Sequence, residues 1–285
     1  MLTLLLDGDV FCYKAALASE HAIQWTEDII TLDANLSEAK ARFDDSIEEI
    51  QKKLEADAVV IALSDIGSGY WRRRVLPSYK MNRKAVRKPL SLLPLRQYAI
   101  EKYDAKLKPM LEGDDVLGIL ATHPTLVPGE KIIVSIDKDM KTIPGKFCRN
   151  LDGCFDVATI SEEEADYWHM YQTLTGDATD GYTGCPGIGP KTAEKALASC
   201  KTLGEMWINV TFHFRKAGLL NEAAALTQAR VARILRASDY DFKTKLPILW
   251  TPPTKGNDGN QASSTPTTAP APASKLPAAS AKGNG

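Results

Sequence analysis

Three short apolar runs, each closed by a carboxylate, constrain this chain more than any other feature. Residues 2–6 (LTLLL) lead into Asp7, residues 58–63 (AVVIAL) into Ser64 and Asp65, and residues 131–136 (KIIVSI) into Asp137. A short, nearly continuous apolar run reads as a strand covered on both faces, as in a parallel sheet. Helical patterns lie between the runs. One is predicted over residues 10–19. A second covers residues 35–54, where Leu36, Ala39, Phe43, Ile47 and Ile50 recur among charges. Others are predicted at residues 94–103 and at residues 111–120, the latter opened by acids. Strands alternating with helices predict an α/β fold with a central, mostly parallel sheet. Ligands of such sheets sit beyond the carboxyl ends of the strands, where Asp7, Asp65 and Asp137 would meet.

More acids arrive in tight clusters. LEGDDVLG supplies Glu112, Asp114 and Asp115, SIDKDM supplies Asp137 and Asp139, and TGDATD supplies Asp177 and Asp180. Gathered at one rim, these carboxylates cannot all stay ionised without cations between them. Hard oxygen donors favour Mg²⁺ or Mn²⁺, and two such ions can activate water and stabilise a leaving oxygen in phosphodiester hydrolysis. Plainer roles stand beside this one. Asp114 and Asp115 suit the first turn of a helix, and Asp180, in Asp-Gly, suits a turn. Asp9 is a peripheral candidate.

The formal net charge of −1 hides a segregation, because nine Lys or Arg and no acid fall within residues 71–96. There Arg72, Arg73, Arg74, Lys80, Arg83, Lys84, Arg87 and Lys88 are interleaved with Tyr70, Trp71 and Tyr79. A solvated basic face is the plain reading of a charge run. Uncompensated cations among aromatic rings also suit nucleic acid passing through an electropositive channel. Lys80 and Arg83, three apart, reach one phosphate if this stretch is helical.

GCPGIGPKTAEKAL has the form of a turn between two helices. Gly187 and Gly189 allow close backbone approach, and Pro190 suits the first helical turn. Amides there, with Lys191, can hold a DNA phosphate without reading sequence, and turn carbonyls can hold a monovalent cation. A simple helix–helix connection also uses Gly and Pro. The P-loop spacing is absent.

Residues 161–237 read as helical. Residues 251–285 are mostly Pro, Ala, Thr, Ser and Gly without an aromatic residue, too little apolar surface to fold, so a disordered tail is expected. Five cysteines without CxxC spacing argue for a reducing compartment. No window approaches the roughly 20 apolar residues of a membrane span, so a soluble cytoplasmic protein is expected.

Taken in order, LLLDGD, LSD, YWR, YKMNR, EGDDVLG, SIDKDM, GDATDGY and GCPGIGPKTA resemble the 5′-nuclease family of flap endonucleases and 5′→3′ exonucleases. NRKAVRKP, PMLEGDDV, KDMKTIP and ARILR are most similar to the compact exonucleases of short-tailed bacteriophages. The resemblance covers residues 1–250. It implies a PIN-like nuclease core over residues 1–160, with a basic helical arch at about residues 66–96. It implies a duplex-binding helical subdomain over residues 161–250, carrying a helix-turn-helix element and a potassium site at residues 184–190. It also implies that Glu112, Asp114, Asp115 and Asp137 hold a first metal ion, and Asp139, Asp177 and Asp180 a second. Asp7 and Asp65 would support their waters. Lys80 and Arg83 would be catalytic, clamping the scissile phosphate. Arg72, Arg73, Tyr79, Lys84, Gly187, Gly189 and Lys191 would contact DNA. The implied substrates are duplex and 5′-flap DNA and the RNA strand of hybrids, acted on by a monomer in replication, primer removal, recombination or host-DNA breakdown. The arch is compact for the family, which leaves threading of a free 5′ end open. Two rivals remain. A haloacid-dehalogenase-type phosphatase would share DGDV and GDATD, and an inert DNA-binding scaffold would lack cleavage.

Overall fold

The computed structural model describes residues 1–67, 69–149 and 155–253, without the side chains of residues 84 and 85. The DNA contact expected of Lys84 and nearly all of the expected tail lie outside those residues. In chain order the elements are β1 (Leu2–Asp7), α1 (Gly8–Ala18), β2 (Glu20–Gln24), β3 (Ile30–Ala34), α2 (Leu36–Lys53), β4 (Ala58–Ala62), α3 (Arg72–Val75), α4 (Leu92–Tyr103) and α5 (Gly113–Thr122). They continue with β5 (Glu130–Ser135), β6 (Gly145–Arg149), β7 (Val157–Ile160), α6 (Glu162–Thr175), α7 (Pro190–Leu197), α8 (Leu203–Lys216), α9 (Glu222–Ala232), β8 (Tyr240–Asp241) and β9 (Leu246–Pro247).

Among the described residues the main sheet has the order β4-β1-β5-β6-β7. Its pairs are parallel except for β6 with β7. Strand β1 lies between β4 and β5, with Leu4 opposite Val59 on one side and Ile132 on the other. Its apolar run is continuous because both faces are covered. Leu4 and Leu6 point into a core with Phe11 of α1, Phe43 of α2 and Leu95 of α4. Leu5 points the other way, into a core with Val116 and Leu117 of α5, Met140, Phe147 and Leu235. The three acid-ended runs are therefore neighbours, and their carboxyl ends share one edge.

Gly8 makes the start of α1 possible. A Cβ there would lie 2.5 Å from Ile61 Cγ2 and 2.6 Å from the Ala62 carbonyl, so only glycine lets the helix begin against β4. The register of α2 is set by its cap, since the Asn35 side chain accepts from the Ser37 and Glu38 amides at 2.9 and 3.2 Å. Helices α6 to α9 enclose a third core around Met170, Leu174, Trp207, Val210 and Phe214. Among the described residues no helix is long and apolar enough to cross a membrane.

The basic segment is less helical than expected. It holds the single turn of α3 and a 3-10 turn at Met81–Ala85, entered through Lys80 in a left-handed conformation (φ 54°). It folds down onto the rim of the sheet, because Arg72 and Tyr79 are each only 2% exposed and tie it to buried carboxylates.

Candidate active site

The site starts at the end of β1. Asp7, 3% exposed, caps α1 by accepting from the Val10 amide at 3.3 Å, and it accepts from the Ser135 hydroxyl at 2.6 Å. The Ser135 oxygen in turn accepts from the Asp137 amide at 3.0 Å, so one hydroxyl fixes Asp7 and Asp137 together across β1 and β5. Asp137 folds its carboxylate back onto the Asp139 amide at 2.9 Å. Asp114 projects from the first turn of α5. Burial, then repulsion from Asp7, pushes its carboxyl well above the ordinary range. Asp137 and Glu112 add to the rise, and Lys80 opposes it. Burial, with help from Asp137, also raises Asp7 against its hydrogen bonds to Ser135 and Val10. Asp7, Glu112, Asp114 and Asp137 thus lie close enough to feel one another's charge.

A second group forms where the Asp177 loop comes up beside Asp139. Asp177 accepts from the Thr179 and Asp180 amides at 2.7 and 3.2 Å. Gly176 and Gly184 hold this loop closed, with positive φ of 68° and 65° and added Cβ atoms only 2.4 and 2.3 Å from backbone. Lys138 bridges Asp139 and Asp177 at 2.8 and 3.5 Å. Burial lifts Asp139 to a pKa of about 6, Asp137 and Asp177 push the same way, and Lys138 opposes them.

One short stretch joins the two groups. Lys80 Nζ lies 2.5 Å from Glu112 and 3.4 Å from Asp180. The Tyr79 hydroxyl lies within hydrogen-bond reach of the same two carboxylates, at 3.0 and 2.9 Å. Arg83 reaches Asp180 at 2.5 Å and donates to the Thr179 carbonyl at 3.1 Å. The attraction of Lys80 and Arg72 keeps Glu112 ionised below the usual carboxylate pKa despite its burial.

Several expectations are corrected here. The nine acids do not converge as one set. Among the described residues no three acid, histidine or cysteine side chains stand ready as a metal cage. Protein cations lie between the acids instead. Asp115, expected as a ligand, is 0% exposed and accepts from Trp71 Nε1, both terminal nitrogens of Arg72, and the amides of Glu112 and Leu235. Those donors fill the roughly four lone-pair positions of a carboxylate, so Asp115 is an anchor and helix cap. Asp65 is turned toward backbone, accepting from Gly67 and Met110 amides at 2.9 and 2.8 Å. Arg72, expected to steer DNA, is buried and also donates to the Val231 and Arg233 carbonyls. Tyr79, expected on the DNA, is likewise buried. Arg73 is half-buried, donating to the Tyr79 carbonyl at 3.3 Å and lying over the Tyr70 ring. Asp9 pairs with Arg96. Gly187, Gly189 and Lys191 are exposed, with open space around both glycines, and Gly187 alone of the pair has positive φ, 77°.

The 5′–3′ exonuclease N-terminal resolvase-like domain matches residues 2–166. The chain belongs to the 5′–3′ exonuclease family. The exonuclease of Escherichia phage T7 is 35% identical over 286 residues, spanning 87% of this chain and 93% of its own. The exodeoxyribonuclease of Enterobacteria phage T3 is 34% identical over 284 residues, with 87% and 92% covered. The T5 D15 protein, crystallised with metal ions, shares the fold with a TM-score of 0.62 at 13% identity, over 81% of this chain and 89% of its own. The chain is accordingly a nuclease of the 5′–3′ exonuclease type, and the phosphatase and inert-scaffold readings fall.

Sequence reasoning missed Ser135 and Lys138 as parts of the site. Both had a signal: a hydroxyl two residues before Asp137, and a cation between Asp137 and Asp139.

Proposed function

We propose that this exonuclease hydrolyses duplex DNA from 5′ ends using Mg²⁺ or Mn²⁺ held in two carboxylate groups. Asp7, Glu112, Asp114 and Asp137 would hold one ion, and Asp139, Asp177 and Asp180 the other. The donors fit: they are all hard oxygens, and the charge that burial and mutual repulsion make costly at Asp7, Asp114 and Asp139 is relieved by a divalent cation. Bound ions would supply Lewis-acid polarisation of the phosphate and activation of water.

The observation that carries the reading is the Tyr79–Lys80–Arg83 stretch, which touches both groups at once. With Glu112 and Asp180 as metal ligands, the Lys80 ammonium and Arg83 guanidinium would be free to face the scissile phosphate and would offset the charge that develops in the transition state. Tyr79 keeps the two groups in register, and Ser135 holds Asp7 and Asp137.

Beyond the sheet, residues 161–250 would act as a duplex-binding subdomain on the core of residues 1–160. The amides around Gly187 and Gly189 and the Lys191 ammonium would hold a phosphate downstream of the cut, and the carbonyls of residues 184–190 a potassium ion. Flaps and the RNA of hybrids would be further substrates. A linear duplex labelled at either the 5′ or the 3′ end, incubated with Mg²⁺ or EDTA, tests this. Early release of short 5′-labelled products with Mg²⁺ alone is expected. Release from the 3′ label first, or equal release with EDTA, would overturn it.

A further inference from the structure

Helix α6 spans the interval between the carboxylates and the glycine turn. It packs against the 3-10 turn at Lys138–Thr142 and against α7, and it ends two residues before Asp177. Its outer surface carries Tyr167, Trp168 and Tyr171 as one cluster. The ring centroids are 5.6 Å apart for Tyr167 and Trp168, 5.2 Å for Trp168 and Tyr171, and 6.3 Å for Tyr167 and Tyr171. All three residues are half-buried, with the two tyrosines resting on the helical core.

Their polar edges distinguish them from core residues. Tyr79, Tyr98, Tyr103 and Trp71 each place a hydroxyl or indole N–H on a carboxylate. Among the described residues no protein group pairs with the hydroxyls of Tyr167 and Tyr171 or the indole N–H of Trp168. Two cations flank the rings. Lys141 Nζ stands 4.5 Å from the Trp168 ring centroid, and Lys138, which bridges Asp139 and Asp177, is close enough to act on the Tyr171 phenol. Glu194 of α7 faces both tyrosines from the other direction.

We infer that Tyr167, Trp168 and Tyr171, with Lys138 and Lys141, form a track on which one strand of the duplex crosses from the carboxylates to the glycine turn. Deoxyribose faces rest on the rings, and phosphates follow the lysines, away from Glu194. The contact is sequence-neutral, because every nucleotide offers the same sugar and phosphate. Mutual packing already fixes the three rings, so little side-chain freedom is lost on binding. A shoulder of the core would explain the buried inner edges of the rings. It would not explain three unpartnered polar edges with a lysine held over one of them, in line with the active site.

The inference rests on the nuclease reading, and one set of measurements separates the two. Binding of a short blunt duplex is measured in EDTA, across a salt series, for the full chain and for Trp168→Ala, Trp168→Phe and Lys141→Ala, alongside thermal melting. Trp168→Ala is expected to bind roughly tenfold more weakly, the scale of about 60 Å² of apolar ring face left uncovered, with Trp168→Phe recovering most of it. Lys141→Ala is expected to lower the slope of log affinity against log salt by about one. If Trp168→Ala melts early, Lys141→Ala alone decides. Wild-type affinity and salt slope in well-folded variants would overturn the track while leaving the nuclease reading intact. A wild-type chain that neither binds nor cuts duplex would sink both.

Discussion

Arg72→Ala should unfold this protein far more readily than it weakens its grip on DNA. The guanidinium donates to both oxygens of Asp115 at 2.7 Å, to Glu112 at 2.6 Å, and to the Val231 and Arg233 carbonyls at 3.0 and 2.7 Å. Both partner carboxylates are almost fully buried, at 3% and 0% exposure. Removing the cation strands Asp115 without a counter-charge and leaves Glu112 dependent on Lys80. Breaking a buried pair from one side typically costs about 3–5 kcal/mol, because the remaining charge stays desolvated. For a domain of this size, about 2 °C of melting temperature is lost per kcal/mol, so a fall of about 6–10 °C is expected. Differential scanning fluorimetry in EDTA measures the fall directly, and duplex binding below the transition measures the rest. An unchanged melting temperature with strongly weakened duplex binding would refute the anchoring role and restore Arg72 as a DNA contact.

Four further outcomes follow from the same contacts. Tyr79→Phe deletes the hydroxyl within reach of both Glu112 and Asp180, and kcat on duplex should fall about 10- to 100-fold, the scale of a hydrogen bond to a charged group. Gly8→Ala places a Cβ 2.6 Å from the Ala62 carbonyl, so melting temperature and activity should drop together. Asp139 carries a folded-state pKa of about 6, above its unfolded value, so its charge destabilises the metal-free fold at neutral pH, and that cost fades as pH falls toward 4. In EDTA, Asp139→Asn should therefore melt above wild type at pH 7 and level with it near pH 4. A pH-independent difference would count against the assignment. Lys80→Met should slow cleavage by at least tenfold and also lower the melting temperature in EDTA, since it leaves Glu112 short of a counter-charge.

The parts of the fold legible in the sequence are those where burial leaves a pattern. Strands β1, β4 and β5 read as apolar runs because helices cover both faces. Helix α2 read from its periodic stripe alone, and its Asn35 cap emerged only in the structure. The hairpin β2–β3 left no such trace. Its residues alternate irregularly, and Ile23, Trp25, Ile30 and Leu32 face solvent. Strands β6 and β7 are too short to show a period, and the sheet supplies their stability. In the site, acids at strand ends and in the tight clusters of EGDD, DKD and DATD announced themselves. Their division of labour did not. Arg72 looks like its neighbours, half-buried Arg73 and exposed Arg74, because a run of cations reads the same whether one or none is fully buried. Its partner Asp115 lies 43 residues away, and the Leu235 amide that completes the anchor a further 120. Such long-range pairings set which carboxylates keep free oxygens, and no local spacing encodes them.

The central claim is that the carboxylates work as two metal-holding groups joined by Tyr79 and Lys80. Manganese binding by isothermal titration calorimetry, without DNA, tests it most directly. The wild-type chain should take up two ions. Asp177→Asn should lose one of them, and Asp137→Asn should weaken the other. Uptake of a single ion by wild type, or two-ion uptake unaffected by Asp177→Asn, would contradict the account.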